Sequence, residues 1–263
     1  MSAALNEAPN CPRRYPAKPT DVYLFGTCVL DLFDPEAGVS VVSLLEREGI
    51  RVHYPQDQTC CGQPAYTSGF PDQARAVAAR QLPLFAGDWP IVVPSGSCGG
   101  MMRHHWPRLF ADDPALLPLA TSIAERVLEL SEFLLHVVKP RWPRAGAAER
   151  VVLHTSCSAR REMNTHLSAR ALLAQLPNLE VVLQDHEAEC CGFGGAFSVK
   201  HPELSAAIAS DKVDALEATA ATRMVSADGG CLLNLNGTLQ KRGSALRGEH
   251  LASFLWQRTQ APA

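Results

Sequence analysis

The cysteines of this chain fall into two sets with nearly the same spacing, and this repeat constrains the fold more than any other feature. Eight of the nine cysteines belong to the sets. The first set is Cys28, Cys60, Cys61 and Cys98, and the second is Cys157, Cys190, Cys191 and Cys231. The gaps are 31 and 36 residues in the first set and 32 and 39 in the second, and a glycine follows each Cys-Cys pair. The chain is therefore predicted to contain two copies of one structural unit.

The segments around the cysteines repeat as well, and they set the expected domain boundaries. An apolar run precedes Cys28 at 22–25, and a similar run precedes Cys157 at 151–153. We expect a first domain over residues 21–138 and a second over 150–263, joined by a Pro- and Gly-containing linker at 139–149. Residues 1–20 contain several prolines and no apolar run, so a disordered tail is expected there, with Cys11 as a thiol outside both sets.

Short apolar runs alternate with helical patterns in each half. The predicted strands are 21–26, 51–54 and 91–94 in the first half and 150–154, 180–184 and 223–226 in the second. Between the first two strands, a stripe from Ala37 to Leu45 has helical spacing and Gly49 can end the helix. Alternating strands and helices indicate βαβ units. The predicted fold class is α/β, with two pseudo-symmetric halves that each contain a parallel sheet flanked by helices. The pattern does not predict the strand order.

The cysteines follow these strands, which predicts where they meet. In a parallel sheet the carboxyl ends of all strands lie along one edge, so four thiols per half are expected to converge. Thiolates select zinc, copper(I) or iron–sulfur clusters. Zinc sites commonly use Cys-x₂₋₄-Cys pairs, which are missing here, whereas adjacent cysteines can reach different irons of a larger cluster. Iron–sulfur binding is favoured, with zinc and a redox-active disulfide as alternatives.

Several short motifs together resemble the cysteine-rich CCG-domain family of iron–sulfur proteins. They are Cys60-Cys-Gly-Gln-Pro-Ala65, Gly96-Ser-Cys98, Ser156-Cys-Ser158, Cys190-Cys-Gly-Phe-Gly-Gly-Ala-Phe-Ser-Val-Lys200 and Cys231-Leu-Leu-Asn234. Within that family they are most similar to the lactate-utilisation iron–sulfur proteins. The resemblance spans residues 20–258 and implies two clusters, one on each cysteine set. It also implies an electron-transfer role beside other iron–sulfur subunits of a complex that oxidises L-lactate to pyruvate.

The chain departs from the wider family at one position in each half. Where relatives such as heterodisulfide reductase end each unit in Cys-x-x-Cys, this chain has Met101 and Asn234. Four cysteines per half match an ordinary [4Fe–4S] cluster. Three alternatives stay open: a cluster with an open iron that reduces disulfides, a replacement ligand from Met101 or Asn234, and a zinc-stabilised scaffold. Packing is expected for Met101, and two roles are open for Asn234: a turn or helix cap, or a hydrogen bond to a cluster sulfide.

Other polar residues near the cysteines are expected to have ordinary roles. His154, three residues before Cys157, is expected to be a buried histidine with satisfied hydrogen bonds, the alternative being a ligand or proton donor. His104 and His105 are expected on the exposed surface. Arg160 and Arg161 are expected on a solvated helix face, the alternative being a carboxylate-binding pair.

Charge and hydropathy exclude several classes of protein. The net charge is −3 and the 24 basic residues form no patch, which gives no support for nucleic-acid binding. The longest apolar runs are far short of the ~20 residues of a membrane span, and no secretory signal precedes residue 20. The protein is expected in the cytoplasm, where thiols stay reduced. Motifs for flavin, nicotinamide or hydrolytic chemistry are missing from the sequence.

Overall fold

The computed structural model describes residues 13–142 and 146–260, and it contains two four-stranded parallel sheets. The first sheet consists of β1 (Asp21–Leu24), β2 (Arg51–His53), β3 (Ile91–Val93) and β4 (Val127–Glu129). The second consists of β5 (Glu149–Leu153), β6 (Leu179–Val182), β7 (Arg223–Ser226) and β8 (Arg247–His250). The strand orders are β2-β1-β3-β4 and β6-β5-β7-β8, so the two halves share one topology. The predicted α/β class with two similar halves is confirmed.

The fourth strand of each sheet was not predicted. β4 lies directly between two helices without a turn residue on either side, so the helical periodicity continues across it. β8 is polar apart from a glycine, and it therefore lacks the apolar signal of a buried strand. Both pair in parallel with their neighbours, as in Val92 with Leu128 and Met224 with Gly248.

Helices follow the strands on both faces of each sheet. The first half contains α1 (Cys28–Phe33), α2 (Pro35–Arg47), α3 (Gln63–Thr67), α4 (Pro71–Gln81), α5 (Gly96–Gly100), α6 (Trp106–Leu109), α7 (Leu117–Arg126) and α8 (Leu130–Phe133). The second half contains α9 (Thr165–Leu173), α10 (Phe197–Lys200), α11 (Pro202–Glu217), α12 (Gly229–Lys241) and α13 (Leu251–Thr259). A 3₁₀ turn spans Leu82–Phe85, and π-helical segments span Met101–His105, Leu134–Val138 and Ala159–Met163. Among the helices of the described residues, none is long and apolar enough to cross a lipid bilayer.

One hydrophobic core is shared by the two halves. Because side chains alternate between the faces of a strand, Val22 and Leu24 face this shared core, whereas Phe25 and Ile91 face a second cluster within the first half. In the second half Val151 likewise faces the shared core. A third cluster covers the opposite face of the second sheet. Burial of the shared core therefore joins the two sheets.

The helices in the shared core make the same contact twice. The helix α2 packs on α13, and α9 packs on α8. Within each half, α2 and α9 follow the first strand, and α8 and α13 follow the fourth strand. The contact is repeated with the halves exchanged, which relates them by an approximate two-fold axis.

The N-terminal segment and the linker are partly described. Residues 1–12, with Cys11, and 143–145 lie outside the described residues. Where the expected disordered tail is described, Arg13 donates hydrogen bonds to Glu132 Oε1 (3.1 Å) and to the carbonyl oxygen of Val127 (2.9 Å). Tyr15 stacks on His136 with ring centroids 4.3 Å apart. These contacts hold residues 13 and 15 against the first half.

Buried side chains cap the helices that follow the fourth strands. Glu129 accepts hydrogen bonds from the backbone N–H groups of Ser131 (2.8 Å) and Glu132 (3.3 Å) at the start of α8. At the equivalent place, His250 Nδ1 accepts from the N–H of Ala252 (3.1 Å) and its Nε2–H donates to the carbonyl oxygen of Pro94 (3.0 Å). Complete burial raises the pKa of Glu129 to about 8 by desolvation.

The raised pKa of Glu129 predicts a pH-dependent stability. The unfolded carboxyl ionises near its ordinary pKa of 4.5 and the folded one near 8, so the free energy of unfolding falls as the pH rises between these values, by up to ~1.4 kcal/mol per pH unit. Glu129→Gln keeps the acceptor oxygen of the cap and removes the titration. The variant is expected to gain stability relative to the parent chain from pH 5 to pH 8, measured by urea unfolding. A constant difference across that range would contradict the prediction.

The halves also approach each other closely where α5 packs on the segment Ala159–Met163. A Cβ added at Gly96 would lie 2.3 Å from Ala159 Cβ and 3.1 Å from Ala159 Cα. Nearby, Ser95 Oγ and the N–H of Ser97 donate to Asp228 Oδ1 at 2.8 and 3.1 Å. Glycine is therefore required at residue 96 by the contact between halves.

The substitution Gly96→Ala is expected to destabilise the protein by about 1–3 kcal/mol, because the added methyl group overpacks this interface. Gly38→Ala is the matched control: Gly38 lies within α2, and an added Cβ there meets nothing within 4 Å. The control is expected to be neutral or to stabilise the helix by up to ~1 kcal/mol. Urea unfolding of both variants measures the difference, and equal stability would show that the halves do not approach this closely.

Candidate metal centre

The strand order brings all eight predicted cysteines to one cavity. Cys28 begins α1, Cys98 lies in α5 and Cys231 lies in α12. Cys157 lies just before the segment Ala159–Met163. In each half the Cys-Cys pair lies in the loop after the edge strand. A cavity of about 600 Å³ between the halves is lined by all eight. The two sets were predicted separately, one for each half. The structure places them on the same cavity, and their role as ligands stays a prediction.

The first set is held together by hydrogen bonds among its sulfurs. The Sγ atoms of Cys61 and Cys98 are 3.4 Å apart, and the N–H of Gly62 donates to Cys60 Sγ at 3.4 Å. Hydrogen bonds from the thiols of Cys28 and Cys61 lower the pKa of Cys60 to about 3. The hydrogen bond from Cys28 to Cys60 raises the pKa of Cys28, and the hydrogen bond from Cys61 to Cys60 raises the pKa of Cys61. Hydrogen bonding within the set therefore favours ionisation of Cys60 over that of Cys28 and Cys61.

The second set has the same arrangement. The Sγ atoms of Cys191 and Cys231 are 3.0 Å apart, and the N–H of Gly192 donates to Cys190 Sγ at 3.3 Å. Hydrogen bonds from Cys157 and Cys191 lower the pKa of Cys190 to about 2. In both sets the pKa is thus lowered at the first cysteine of the Cys-Cys pair. Among the described residues, no disulfide joins these eight cysteines.

The loop after each Cys-Cys pair needs a left-handed glycine. Gly192 has a φ of +84°, and a Cβ there would lie 2.5 Å from the carbonyl oxygen of Ser205. Gly62 has the same conformation, with a φ of +90°. In both loops this backbone turns the glycine N–H back onto the sulfur of the first cysteine of the pair. The glycine of each Cys-Cys-Gly motif is therefore explained by the backbone turn and the close approach of the chain.

Different side chains hold the two Cys-Cys pairs from behind. In the first half the indole N–H of Trp106 donates to the carbonyl oxygen of Cys61 at 2.9 Å. In the second half Asn234 Nδ2 donates to the carbonyl oxygen of Cys191 at 2.8 Å. Asn234 therefore supports the backbone of the ligand loop. Trp106 was missed by sequence analysis, although a fully buried tryptophan needs a partner for its N–H and so gives a general signal.

His154 is the main departure from the expectations for polar residues. The side chain is fully buried, as predicted, but neither ring nitrogen has a hydrogen-bond partner within residues 13–142 and 146–260, so the prediction of satisfied hydrogen bonds is wrong. A ring nitrogen of His154 and the Sγ atoms of Cys191 and Cys231 all lie within 4.8 Å of one another. Desolvation lowers the pKa of His154 to about 3, which keeps the imidazole neutral.

The prediction that His104 and His105 are exposed is wrong. Each is partly buried between the halves, with Nε2–H donating to Glu162: His104 to its carbonyl oxygen at 2.8 Å and His105 to Oε1 at 2.9 Å. The π-helical segment Met101–His105 turns both rings towards the second half. Met101 is fully buried among apolar side chains, so it packs in the core as expected.

The two arginines after Cys157 have different surroundings. The prediction of a solvated Arg160 is wrong, because its guanidinium pairs with Glu187 and its side chain is only 17 % exposed. Arg161 is exposed, as expected, and lines the cavity. An arginine pair for a carboxylate is therefore not formed, because Arg160 already binds Glu187.

The donor set fits a metal group that prefers sulfur. Each half presents four thiols, of which one has a lowered pKa, at a cavity whose walls are mostly half-buried residues. Thiolates are the ligands of iron–sulfur clusters, zinc and copper(I). Adjacent cysteines pointing into one cavity suit a cluster with several metal atoms better than two separate single ions.

Comparison with known proteins places this architecture in context. Residues 22–103 and 151–236 match the CCG cysteine-rich domain, so each half contains one copy. The chain is 38 % identical over 235 residues to Lactate utilization protein A of Shouchella clausii, covering 89 % of this chain and 98 % of that protein. It is 37 % identical over 235 residues to Lactate utilization protein A 2 of Bacillus cereus, covering 89 % and 97 %.

A solved structure supports the fold alone. A hypothetical protein from Helicobacter pylori matches with a TM-score of 0.68 at 9 % sequence identity. The match covers 95 % of this chain and 52 % of that one.

The hydrogen bond from Trp106 predicts a measurable contribution to the first half. Trp106→Phe leaves the carbonyl oxygen of Cys61 without its donor inside the protein, and the expected cost is about 1–3 kcal/mol. Trp89→Phe is the control, because Trp89 is 37 % exposed and an aromatic ring is kept. Urea unfolding of anaerobically purified protein measures both, and equal stabilities would contradict the proposed support of the Cys-Cys pair.

Proposed function

The chain belongs to the cysteine-rich CCG domain family, and from this premise we propose that it is an iron–sulfur electron-transfer subunit with two [4Fe–4S] clusters. Cys28, Cys60, Cys61 and Cys98 would hold one cluster, and Cys157, Cys190, Cys191 and Cys231 the other. Such clusters accept and release single electrons at potentials set by their surroundings. The carrying observation is the single cavity lined by both cysteine sets.

The shared cavity supports an electron relay. The first set approaches the cavity from the first sheet and the second set from the second sheet, so the sites face one another across the boundary between halves. The ligand loops are fixed by hydrogen bonds from Trp106 and Asn234, which limits movement of the thiols on a change of charge. Rigid sites that are close together are suited to passing electrons between them.

The relatives suggest the substrate of the larger system. Proteins named Lactate utilization protein A match nearly the whole chain, so we propose a role in oxidising L-lactate to pyruvate. That oxidation removes two electrons and two protons from the lactate C–H and O–H groups. Two one-electron sites on this chain can hold the electron pair before it passes to a partner protein or a quinone. Because no flavin or nicotinamide fingerprint occurs, the oxidation itself is assigned to other iron–sulfur subunits of the complex.

The contacts of Met101 and Asn234 favour four cysteine ligands per half over the alternatives. Met101 is buried in the apolar cluster, and Asn234 donates to the backbone of Cys191. Neither residue is placed to replace the cysteine that disulfide-reducing relatives of this fold carry there. A second function as a disulfide reductase therefore gains no support from these positions.

Metal analysis of anaerobically purified protein tests the proposal. We expect about eight irons and eight sulfides per chain and an EPR signal after reduction by dithionite. Cys61→Ser and Cys191→Ser are each expected to lose about half of the iron, because they remove a ligand from different sets. Cys11→Ser is the matched control, since Cys11 belongs to neither set, and it is expected to keep all of the iron.

Zinc without iron would show that the protein is a zinc-stabilised scaffold, and loss of all iron in either single variant would contradict two independent sites. L-lactate added to the purified chain alone is expected to leave the clusters oxidised. Reduction by lactate without a partner would show that the chain is an enzyme in its own right.

A further inference from the structure

The two cysteine sites differ at one fully buried position. Counting three residues back from the first cysteine of each set gives Phe25 in the first half and His154 in the second. Phe25 packs against Phe85 and Trp106, with ring centroids 5.8 and 6.5 Å away. His154 occupies the equivalent place at the end of β5, where its backbone N–H donates to the carbonyl oxygen of Val225 at 2.9 Å. The repeat therefore carries an imidazole where the first half carries a phenyl ring.

No group among the described residues hydrogen-bonds to the imidazole of His154. Both ring nitrogens are buried and unpaired. A neutral imidazole always carries one N–H donor, and a buried donor without a partner is unfavourable. Such a group points to a ligand that supplies the missing acceptor.

The nearest candidates for that acceptor are two cysteine sulfurs. The Sγ atoms of Cys191 and Cys231 lie within 4.8 Å of a ring nitrogen of His154. These two thiols hydrogen-bond to each other at 3.0 Å. Metal binding removes the thiol protons and turns both sulfurs into charged acceptors. The ring N–H of His154 would then have two charged acceptors nearby, the sulfurs of Cys191 and Cys231.

We propose that His154 donates its ring N–H to the sulfur of Cys191 or Cys231 once the second set holds its cluster, and that this bond raises the reduction potential of that cluster. The proposal rests on the proposed function, since it requires a cluster on the second set. One electron enters the cluster on reduction, and no bond to His154 is formed or broken. The N–H dipole stabilises the more negative, reduced state, so the bond favours reduction. The first half cannot form this bond, because Phe25 has no donor.

Redox titration of the full chain, followed by EPR, tests the assignment. His154→Phe copies the first half and removes the donor. We expect it to keep the iron and sulfide content of the parent chain and to lower the potential of the second-half cluster by a shift of at least tenfold in its reduction equilibrium, which is 59 mV for a one-electron couple. The signal of that cluster is identified in Cys61→Ser, which is expected to keep the second-half cluster alone.

Two further variants separate hydrogen bonding from packing. His154→Gln restores an N–H donor and is expected to recover part of the lost potential. His166→Phe is the matched control, because His166 lies in the same half and does not line the cavity, and it is expected to leave both potentials unchanged. Thermal unfolding by circular dichroism shows whether each variant is folded.

An unchanged second-half potential in folded, iron-replete His154→Phe would overturn the proposal. So would equal losses in His154→Phe and His154→Gln, which would indicate packing, or loss of the second-half iron in His154→Phe, which would indicate a ligand. If the parent chain contains no iron, the proposed function fails at the metal analysis, before His154 is tested.

Discussion

The position of every functional group in this protein depends on how the two parallel sheets are joined through one apolar core. Parallel strands bring their carboxyl ends to one edge, and each sheet thereby gathers four cysteines. The paired contacts of α2 with α13 and of α9 with α8 then fix the halves about an approximate two-fold axis. Because the axis relates the two edges, the eight cysteines meet at one cavity. A cavity lined from both halves therefore follows from burial of side chains such as Val22, Leu24 and Val151, far from the sulfurs.

Much of this arrangement could be predicted from the sequence, because it depends on local patterns. Six strands lie close to where short apolar runs between helical patterns predict them. The glycine of each Cys-Cys-Gly motif marks a left-handed turn. β4 and β8 could not be predicted, since Val127–Glu129 lies between two helices and Arg247–His250 is polar. The strand order depends on pairings between residues tens of positions apart, such as Tyr23 with Ile91. The shared cavity depends on contacts more than a hundred positions apart, such as Ser95 with Asp228. Periodicity carries no information about such contacts.

The sequence repeat does not extend to the side chains that surround the two cysteine sets. The residues that support the two sites differ: Trp106 holds the first Cys-Cys pair, and Asn234 holds the second. The helices α4 and α11 each begin with a proline, and the residue ten positions later differs between them. In the first half it is Gln81, whose side-chain oxygen accepts from the N–H of Thr59 at 2.9 Å. The second half has Lys212 there, buried and donating to the carbonyl oxygen of His186 at 2.6 Å. With His154 in place of Phe25, the second site has a more polar surrounding than the first. A duplicated fold can thus keep one geometry and still give two sites with different electrostatics.

The supporting contacts bear on the order of folding and metal binding. Small zinc domains fold only with their metal, because they lack an apolar core of their own. Here the cysteines lie at the margin of cores that contain most of the buried apolar side chains: Cys61 adjoins the first-half cluster, and Cys191 and Cys231 adjoin the second-half cluster. Hydrogen bonds between protein groups hold the ligand loops, from Gly62 and Gly192 to the sulfurs of Cys60 and Cys190 and from Trp106 and Asn234 to the carbonyl oxygens of Cys61 and Cys191. The apolar burial that joins the two sheets therefore lies away from the sulfurs. Loss of a single cysteine should then empty its own site and leave the opposite site and the shared core in place, which is the behaviour that lets two sites in one chain be studied one at a time.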